Sequence, residues 1–547
     1  MATDASTKAI IDGYTMSGPA IELGVLMVDG TPHPDAKINI SLSMLNRHGL
    51  ISGATGTGKT KTLQLLAEQI SKAGVSVFAA DIKGDLSGIA LPGQPSEKLL
   101  ARTQAIGQQW QAGGRPTEFY ALGGQGTGVP IRATVSSFGP ILLSKVLGLN
   151  EVQESSLGLV FHYADVNGLP LLDLEDLRAV LQYLTSDEGK PELKNLGGLS
   201  VATAGVILRN IITLSTQGAE AFFGEPEFDT ADLVRTLPNG EGVISLVELP
   251  NLQDRPAIFS TFLMWLLADL FHDLPEVGDV DKPKLVFFFD EAHLLFADAS
   301  KAFLSSIAQT VRLIRSKGVG IFFVTQTPKD VPEDVLAQLG SRVQHQLRAH
   351  TPNDAKALKQ TVQTFPTSSY DLGQLLQTLG IGEAVVTVLN PNGAPTPVAW
   401  TRMRAPESLM GPMEAQMMAG GVAQSGMMRK YGAEIDRDSA HEILTRKLEA
   451  GAAAAQEEAK AAEQAKTDAA KAKLQEKEAA AYQRDIDRQA AAREREQAAE
   501  ERRQAAARAR QPSVVEQVAK SSVFRDIVRT AEREVFRGIF GTARRRR

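Results

Sequence analysis

The octapeptide Gly53-Ala54-Thr55-Gly56-Thr57-Gly58-Lys59-Thr60 has the residue types and spacing that hold a phosphate chain. Gly53, Gly56 and Gly58 let backbone N–H groups converge on an anion, and a helix starting just after them adds the positive end of its dipole. Lys59 supplies a cation for β- and γ-phosphate oxygens and the Thr60 hydroxyl a ligand for Mg2+, while Ala54, Thr55, Thr57 and Lys61 complete the wall of the loop. Such a loop needs a carboxylate on the metal side. The run Leu285-Val-Phe-Phe-Phe-Asp290-Glu291 ends an apolar strand in two acids, Asp290 to hold Mg2+ through water and Glu291 to act as general base on an attacking water. The chemistry these parts predict is hydrolysis of ATP with Mg2+.

Lesser candidates surround this pair. Gln326 follows the run GIFFVT at 320–325, where a strand-end amide is placed to contact the γ-phosphate or its water. Arg312, Arg315, Arg342 and Arg348 are candidates for an arginine reaching the γ-phosphate from a neighbouring subunit, and spacing does not choose among them. In Asp81-Ile82-Lys83-Gly84-Asp85, either acid reads as a contact to the metal shell or to DNA, and the segment equally reads as a tight turn. His293 reads as a helix-start residue. The glycine-rich stretch 123–128 lacks a lysine and reads as a loop or hairpin.

The elements that must position these residues follow from apolar patterning. GLIS at 49–52 is a short buried-type strand, 61–73 has helical spacing through Leu63, Leu66 and Ile70, and VSVFAAD at 75–81 is a second buried strand. Strand, glycine-rich turn, helix and strand make a βαβ unit and imply a parallel sheet. Further strands are expected at 242–249, 284–290, 320–325 and 383–389. The predicted fold class is α/β: a P-loop core over 46–410, preceded by a short β element at 1–45 and interrupted by a largely helical insertion at about 90–240. Residues 451–510 hold 23 alanines and no Pro or Gly after Gly451, so 435–510 is expected to be a helical arm, and its scarcity of large apolar residues argues against a tight heptad seam. The last segment, 511–547, is amphipathic and basic, suited to a protein partner, a membrane surface or nucleic acid.

Composition narrows the classes. The 547 residues contain no cysteine, which excludes disulfides, thiolate metal sites and cysteine nucleophiles, and the expected setting is the cytoplasm. The most apolar stretch, 258–270, is shorter than the ~20 residues a membrane span needs. The net charge of −6 divides into +6 over 451–547 (22 Lys and Arg against 16 Asp and Glu) and −12 over 1–450, so any DNA-contacting surface in the body must be a local basic patch.

The segments RHGLISGATGTGKT (47–60), ADIKGDLSG (80–88), FFFDEAHLLF (287–296), RLIRSKGVGIFFVTQTP (312–328) and LGSRVQHQLRAHTP (339–352) resemble the HerA-like bacterial ATPases of the FtsK/HerA branch. The resemblance implies a RecA-like fold, a homo-hexameric ring and ATP-driven movement of double-stranded DNA, with Arg315 acting across the subunit interface. HerA proteins that work with the NurA nuclease begin with a substantial β-barrel. The roughly 45 residues ahead of this loop are too few for one, so no nuclease partner is expected. A rival expectation is a regulatory or scaffolding NTPase that acts on a protein partner through the C-terminal arm.

Overall fold

The computed structural model describes residues 4–193, 198–249, 256–278, 280–296 and 301–508. Its centre is one mixed sheet whose strands are β1 (Ala20–Val28), β2 (Thr31–Ser41), β3 (Gly49–Ser52), β4 (Ser76–Asp81), β5 (Thr117–Leu122), β6 (Val129–Ile131), β7 (Ile244–Glu248), β8 (Leu285–Phe289), β9 (Val319–Thr325), β10 (Ser341–Gln344), β11 (Glu383–Thr387) and β12 (Ala399–Met403), in the order 2-1-12-11-10-3-9-8-4-7-5-6. From β10 to β6 all neighbours are parallel; from β10 through β11, β12, β1 and β2 all are antiparallel.

The parallel strands are continuous apolar runs because helices cover both faces and leave no side of the sheet in water. All five residues of β8, LVFFF, are buried, as are all seven of β9. Their rings pack across strands, with Phe287 4.8 Å from Phe78 and Phe289 5.7 Å from Phe323, centroid to centroid. Each such buried ring contributes about 1.5–3 kcal/mol, so the strands that end in Asp290 and Gln326 are held firmly.

Three features depart from the sequence expectations. The span 84–240, read as largely helical, contributes β5 and β6 to the edge of the sheet, and the glycine-rich stretch between them joins two parallel strands, so it is a loop and not a hairpin. The N-terminal β element is preceded by a helix, α1 (Asp4–Tyr14), and its hairpin β1–β2 extends the same sheet by pairing with β12, Gly24 opposite Met403. Residues 435–449, read as part of the arm, belong to the compact unit 1–449: the Ala440 amide donates to Pro170 O at 3.0 Å and Leu444 is buried.

The second unit begins at 450. Helix Ala440–Arg508 runs 69 residues, and every residue from 445 to 504 is exposed. Alanine, Glu, Lys, Arg and Gln sustain a helix by propensity alone. The segment 511–547 lies outside the described residues. Among the described residues no helix is long and apolar enough to cross a membrane.

Candidate active site

The P-loop leaves β3 at Ser52 and enters helix α2 (Lys59–Lys72). Local hydrogen bonds shape it: Gly53 N donates to Thr325 O at 3.3 Å, Ala54 N to Gln346 O at 2.8 Å, and the Thr57 hydroxyl to Ala54 O at 2.7 Å. Glycine is required at 53 by close approach, since a Cβ there would lie 2.5 Å from the His345 Cβ. The first-turn amides of α2, including those of Lys59 and Thr60, have no intrahelical acceptor and point to where an anion would sit. Lys59 is 7% exposed and folds back, its Nζ donating to Gly53 O at 2.7 Å and Ala54 O at 3.2 Å.

His345 braces this loop from the next strand. Burial holds its pKa down to about 4, so the ring is neutral. Nδ1 lies 2.8 Å from the Glu383 carbonyl and must donate to it, which leaves Nε2 to accept from the Thr62 hydroxyl at 2.9 Å. One imidazole therefore ties α2 to β11. Sequence reading passed over this residue, although it lies in the quoted segment 339–352.

The acid pair arrives at the same edge. Ser52 of β3 lies opposite Thr325 of β9, and Phe289 of β8 opposite Phe323, so the chain leaves β3, β9 and β8 side by side at their carboxyl ends. Asp290 is 1% exposed; one carboxylate oxygen accepts from Glu291 N at 2.9 Å, and the other, Oδ2, is buried without a partner. Burial first, and the Glu291 charge second, push its pKa up to about 7. An acid in this state is costly alone and welcomes a cation, so Asp290 fits a role as Mg2+ ligand. Glu291 has φ +47°, a left-handed conformation that costs about 1–2 kcal/mol in a non-glycine residue. It is ion-paired through Oε1 with Lys83, and His293 Nδ1 lies 3.2 Å from Oε2 without hydrogen-bond alignment.

Burial lowers the pKa of Lys59, against the pull of the Glu291 charge; Lys83 lowers it further and Asp290 raises it. A family model described as helicase HerA-like C-terminal matches residues 27–547. The chain belongs to this family of HerA-like P-loop ATPases. It is similar to the DNA double-strand break repair helicase HerA of Sulfolobus acidocaldarius, 23% identical over 360 residues that make up 64% of each chain. The HerA of Saccharolobus solfataricus is 21% identical over 392 residues, 70% of this chain and 68% of that one. The chain thus spans somewhat less than two thirds of the Sulfolobus acidocaldarius relative. Solved structures similar to it include the bacterial conjugative coupling protein TrwBdeltaN70, at 14% identity and TM-score 0.48 over 75% of this chain and 95% of that one. VirB4 of Thermoanaerobacter pseudethanolicus matches at 15% identity and TM-score 0.44 over 71% of this chain and 97% of that one.

The remaining candidates of this HerA-like chain fall in distinct places. Gln326 is exposed just past β9, next to a turn that Asp330 secures by accepting from the Thr325 hydroxyl, Thr327 N and the Thr327 hydroxyl, each at 2.9 Å. Arg348 follows β10 on the P-loop edge, with Nη2 3.5 Å from Thr55 O. Arg315 lies in a turn before β9, whose seven residues span roughly 20 Å, so it sits at the sheet edge opposite its own Lys59. Arg342, second in β10 and opposite Leu50 of β3, donates to Thr364 O at 3.1 Å. Lys61 faces acids instead: burial lowers its pKa, and Asp85 and Asp81 pull it up. Asp81 builds the turn after β4, accepting from the amides of Lys83 at 3.1 Å, Gly84 at 2.7 Å and Leu86 at 2.7 Å. That turn aims Lys83, which sequence reading did not single out, at Glu291.

Proposed function

We propose that this chain is an ATP-hydrolysing motor that assembles as a homo-hexameric ring and translocates on double-stranded DNA. The observation that carries the reading is the site formed where β3, β9 and β8 end side by side, with the P-loop leaving β3 and Asp290-Glu291 leaving β8. In it, the amides of residues 53–60 and the Lys59 ammonium hold the β- and γ-phosphates, and the Lys59 bonds to Gly53 O and Ala54 O are exchanged for phosphate oxygens. Thr60 and Asp290 would hold Mg2+, which would neutralise phosphate charge there. Glu291 takes a proton from water as the water oxygen bonds to the γ-phosphorus; the bond from that phosphorus to the β–γ bridging oxygen breaks, and ADP leaves. Arg315, too far from its own site, serves the nucleotide of the neighbouring subunit. Gln326 contacts the γ-phosphate or the water. A cysteine-free chain suits the cytoplasm.

DNA as the track is supported by the HerA family match and by the similarity to DNA double-strand break repair helicases. Filter binding of duplex DNA at low salt, with ATPase assays in parallel, tests it, low salt because phosphate contacts weaken steeply as salt rises. No affinity and no stimulation of turnover would remove the DNA half, and negative-stain images without six-fold rings would remove the hexamer.

The exposed helix favours a second reading, in which nucleotide state is passed to a protein partner through the arm. Truncation after Glu449 separates the two and spares the residues that pack in the first unit. A motor keeps its DNA-dependent turnover in that variant, whereas a scaffold hydrolyses normally and loses its partner.

A further inference from the structure

Two lysines of the site rest on protein oxygens. Lys59 rests on the carbonyls of Gly53 and Ala54. The second is Lys83, whose ammonium rests on the Glu291 carboxylate, the group the hydrolysis needs free to receive a proton. The ammonium occupies Oε1, one of the two Glu291 oxygens that could accept from a water.

The turn that carries Lys83 is built without its side chain. Asp81 caps the backbone amides of residues 83, 84 and 86, and Gly84 takes φ +73° to close the bend. The side chain is 41% exposed while Glu291 is 6% exposed, so of the two partners the lysine is the one with room to swing. β4 pairs in parallel with β8, Ala80 opposite Phe289, so the turn that carries Lys83 leaves the sheet at the same carboxyl edge as Asp290 and Glu291.

We propose that Lys83 is a second phosphate-directed lysine: it holds Glu291 while the site lacks a triphosphate, and moves to the γ-phosphate when one binds, releasing Glu291 for the water. The inference rests on the ATPase reading above. It gives the site a way to distinguish triphosphate from diphosphate before chemistry occurs, since ADP offers no γ-oxygen to draw Lys83 away.

The test is equilibrium binding of a fluorescent non-hydrolysable ATP analogue and of the matching ADP analogue to the full chain, for wild type, Lys83→Ala and Lys83→Arg. Loss of one charge-assisted contact to the γ-phosphate is expected to weaken triphosphate binding roughly tenfold. ADP affinity stays within about twofold, as expected when no contact is removed. Lys83→Arg retains most of the triphosphate preference, and turnover by Lys83→Ala falls. An unchanged triphosphate-to-diphosphate ratio in Lys83→Ala overturns the proposal, and so does a rise in turnover with that ratio unchanged, which makes Lys83 only a restraint on Glu291. Should Lys83→Ala fail to fold, Lys83→Gln keeps the side-chain bulk and is judged by the same ratio. A wild-type chain that binds neither analogue removes the ATPase reading and this assignment with it, whereas failure of the Lys83 variants alone leaves the ATPase standing.

Discussion

The buried, half-satisfied Asp290 carboxylate costs the fold stability, and by an amount that depends on pH. The Asp290 carboxyl has an ordinary value of 3.8 and is pushed up to about 7 in the fold. Between those values the folded chain binds a proton that the unfolded chain has lost, so stability falls as pH rises through the window. The penalty is absent below pH 3.8 and complete above about 7. At about 1.4 kcal/mol per unit it is under about 2 kcal/mol at pH 5 and about 4 kcal/mol at pH 8, a difference of at most about 3 kcal/mol. Coupling to Glu291 and relaxation of the site lower this ceiling, so about 1–2 kcal/mol is expected. Asp290→Asn removes the charge and keeps the shape. In metal-free buffer, denaturant unfolding of the variant should show a gain over wild type that is small at pH 5 and larger at pH 8, with the same denaturant slope. Excess Mg2+ and ATP should stabilise the wild type far more than the variant. A gain that does not grow with pH, or a loss at pH 8, refutes the account of Asp290 as a buried acid awaiting a cation.

Other substitutions separate the remaining roles. Lys59→Ala should weaken ATP binding by about 100-fold or more, measured by titration with a fluorescent analogue. Glu291→Gln should leave that affinity near wild type while single-turnover hydrolysis falls by about 10²–10⁴. Gly53→Ala places a Cβ 2.5 Å from the His345 Cβ, so the loop must shift at a cost of about 1–3 kcal/mol, read as a lower melting temperature together with weaker ATP binding. Arg315→Ala should lower turnover by on the order of 10³ without loss of ATP affinity. Mixing it with Lys59→Ala subunits should restore activity, because mixed interfaces join an intact loop to an intact arginine; no recovery on mixing would place the required arginine elsewhere.

How much of this was legible in the sequence depended on whether a signal was local. β3, β4, β8 and β9 read as strands because a parallel strand buried on both faces is a plain apolar run, and the P-loop read as itself because its chemistry lies within eight consecutive residues. β10 (SRVQ) and β12 (AWTRM) carry no such run. Their polar positions are spent on partners in neighbouring strands, Gln344 receiving the Ser52 hydroxyl at 2.6 Å and Arg402 donating to Glu383 at 2.6 Å. Helix α1 was missed for a like reason. Its sequence DASTKAIIDGY looks polar, and its two buried residues, Ile10 and Tyr14, acquire meaning only against the sheet, where the Tyr14 hydroxyl donates to Val386 O at 2.9 Å and Pro397 O at 3.0 Å.

The site divides along the same line, with one consequence for function. Sequence pattern singled out Lys59 and Asp290-Glu291, because each follows a strand whose burial is legible. It did not single out Lys83 and His345, because each contacts a residue more than 200 positions away, Glu291 and Thr62 respectively. Both lie just past strand ends, on β4 and β10, two strands that flank the β3–β9–β8 catalytic group on either side. A displacement of either flank would reach the site through one side chain: through Lys83 the hold on the Glu291 carboxylate, and through His345 the seating of the helix that carries Lys59.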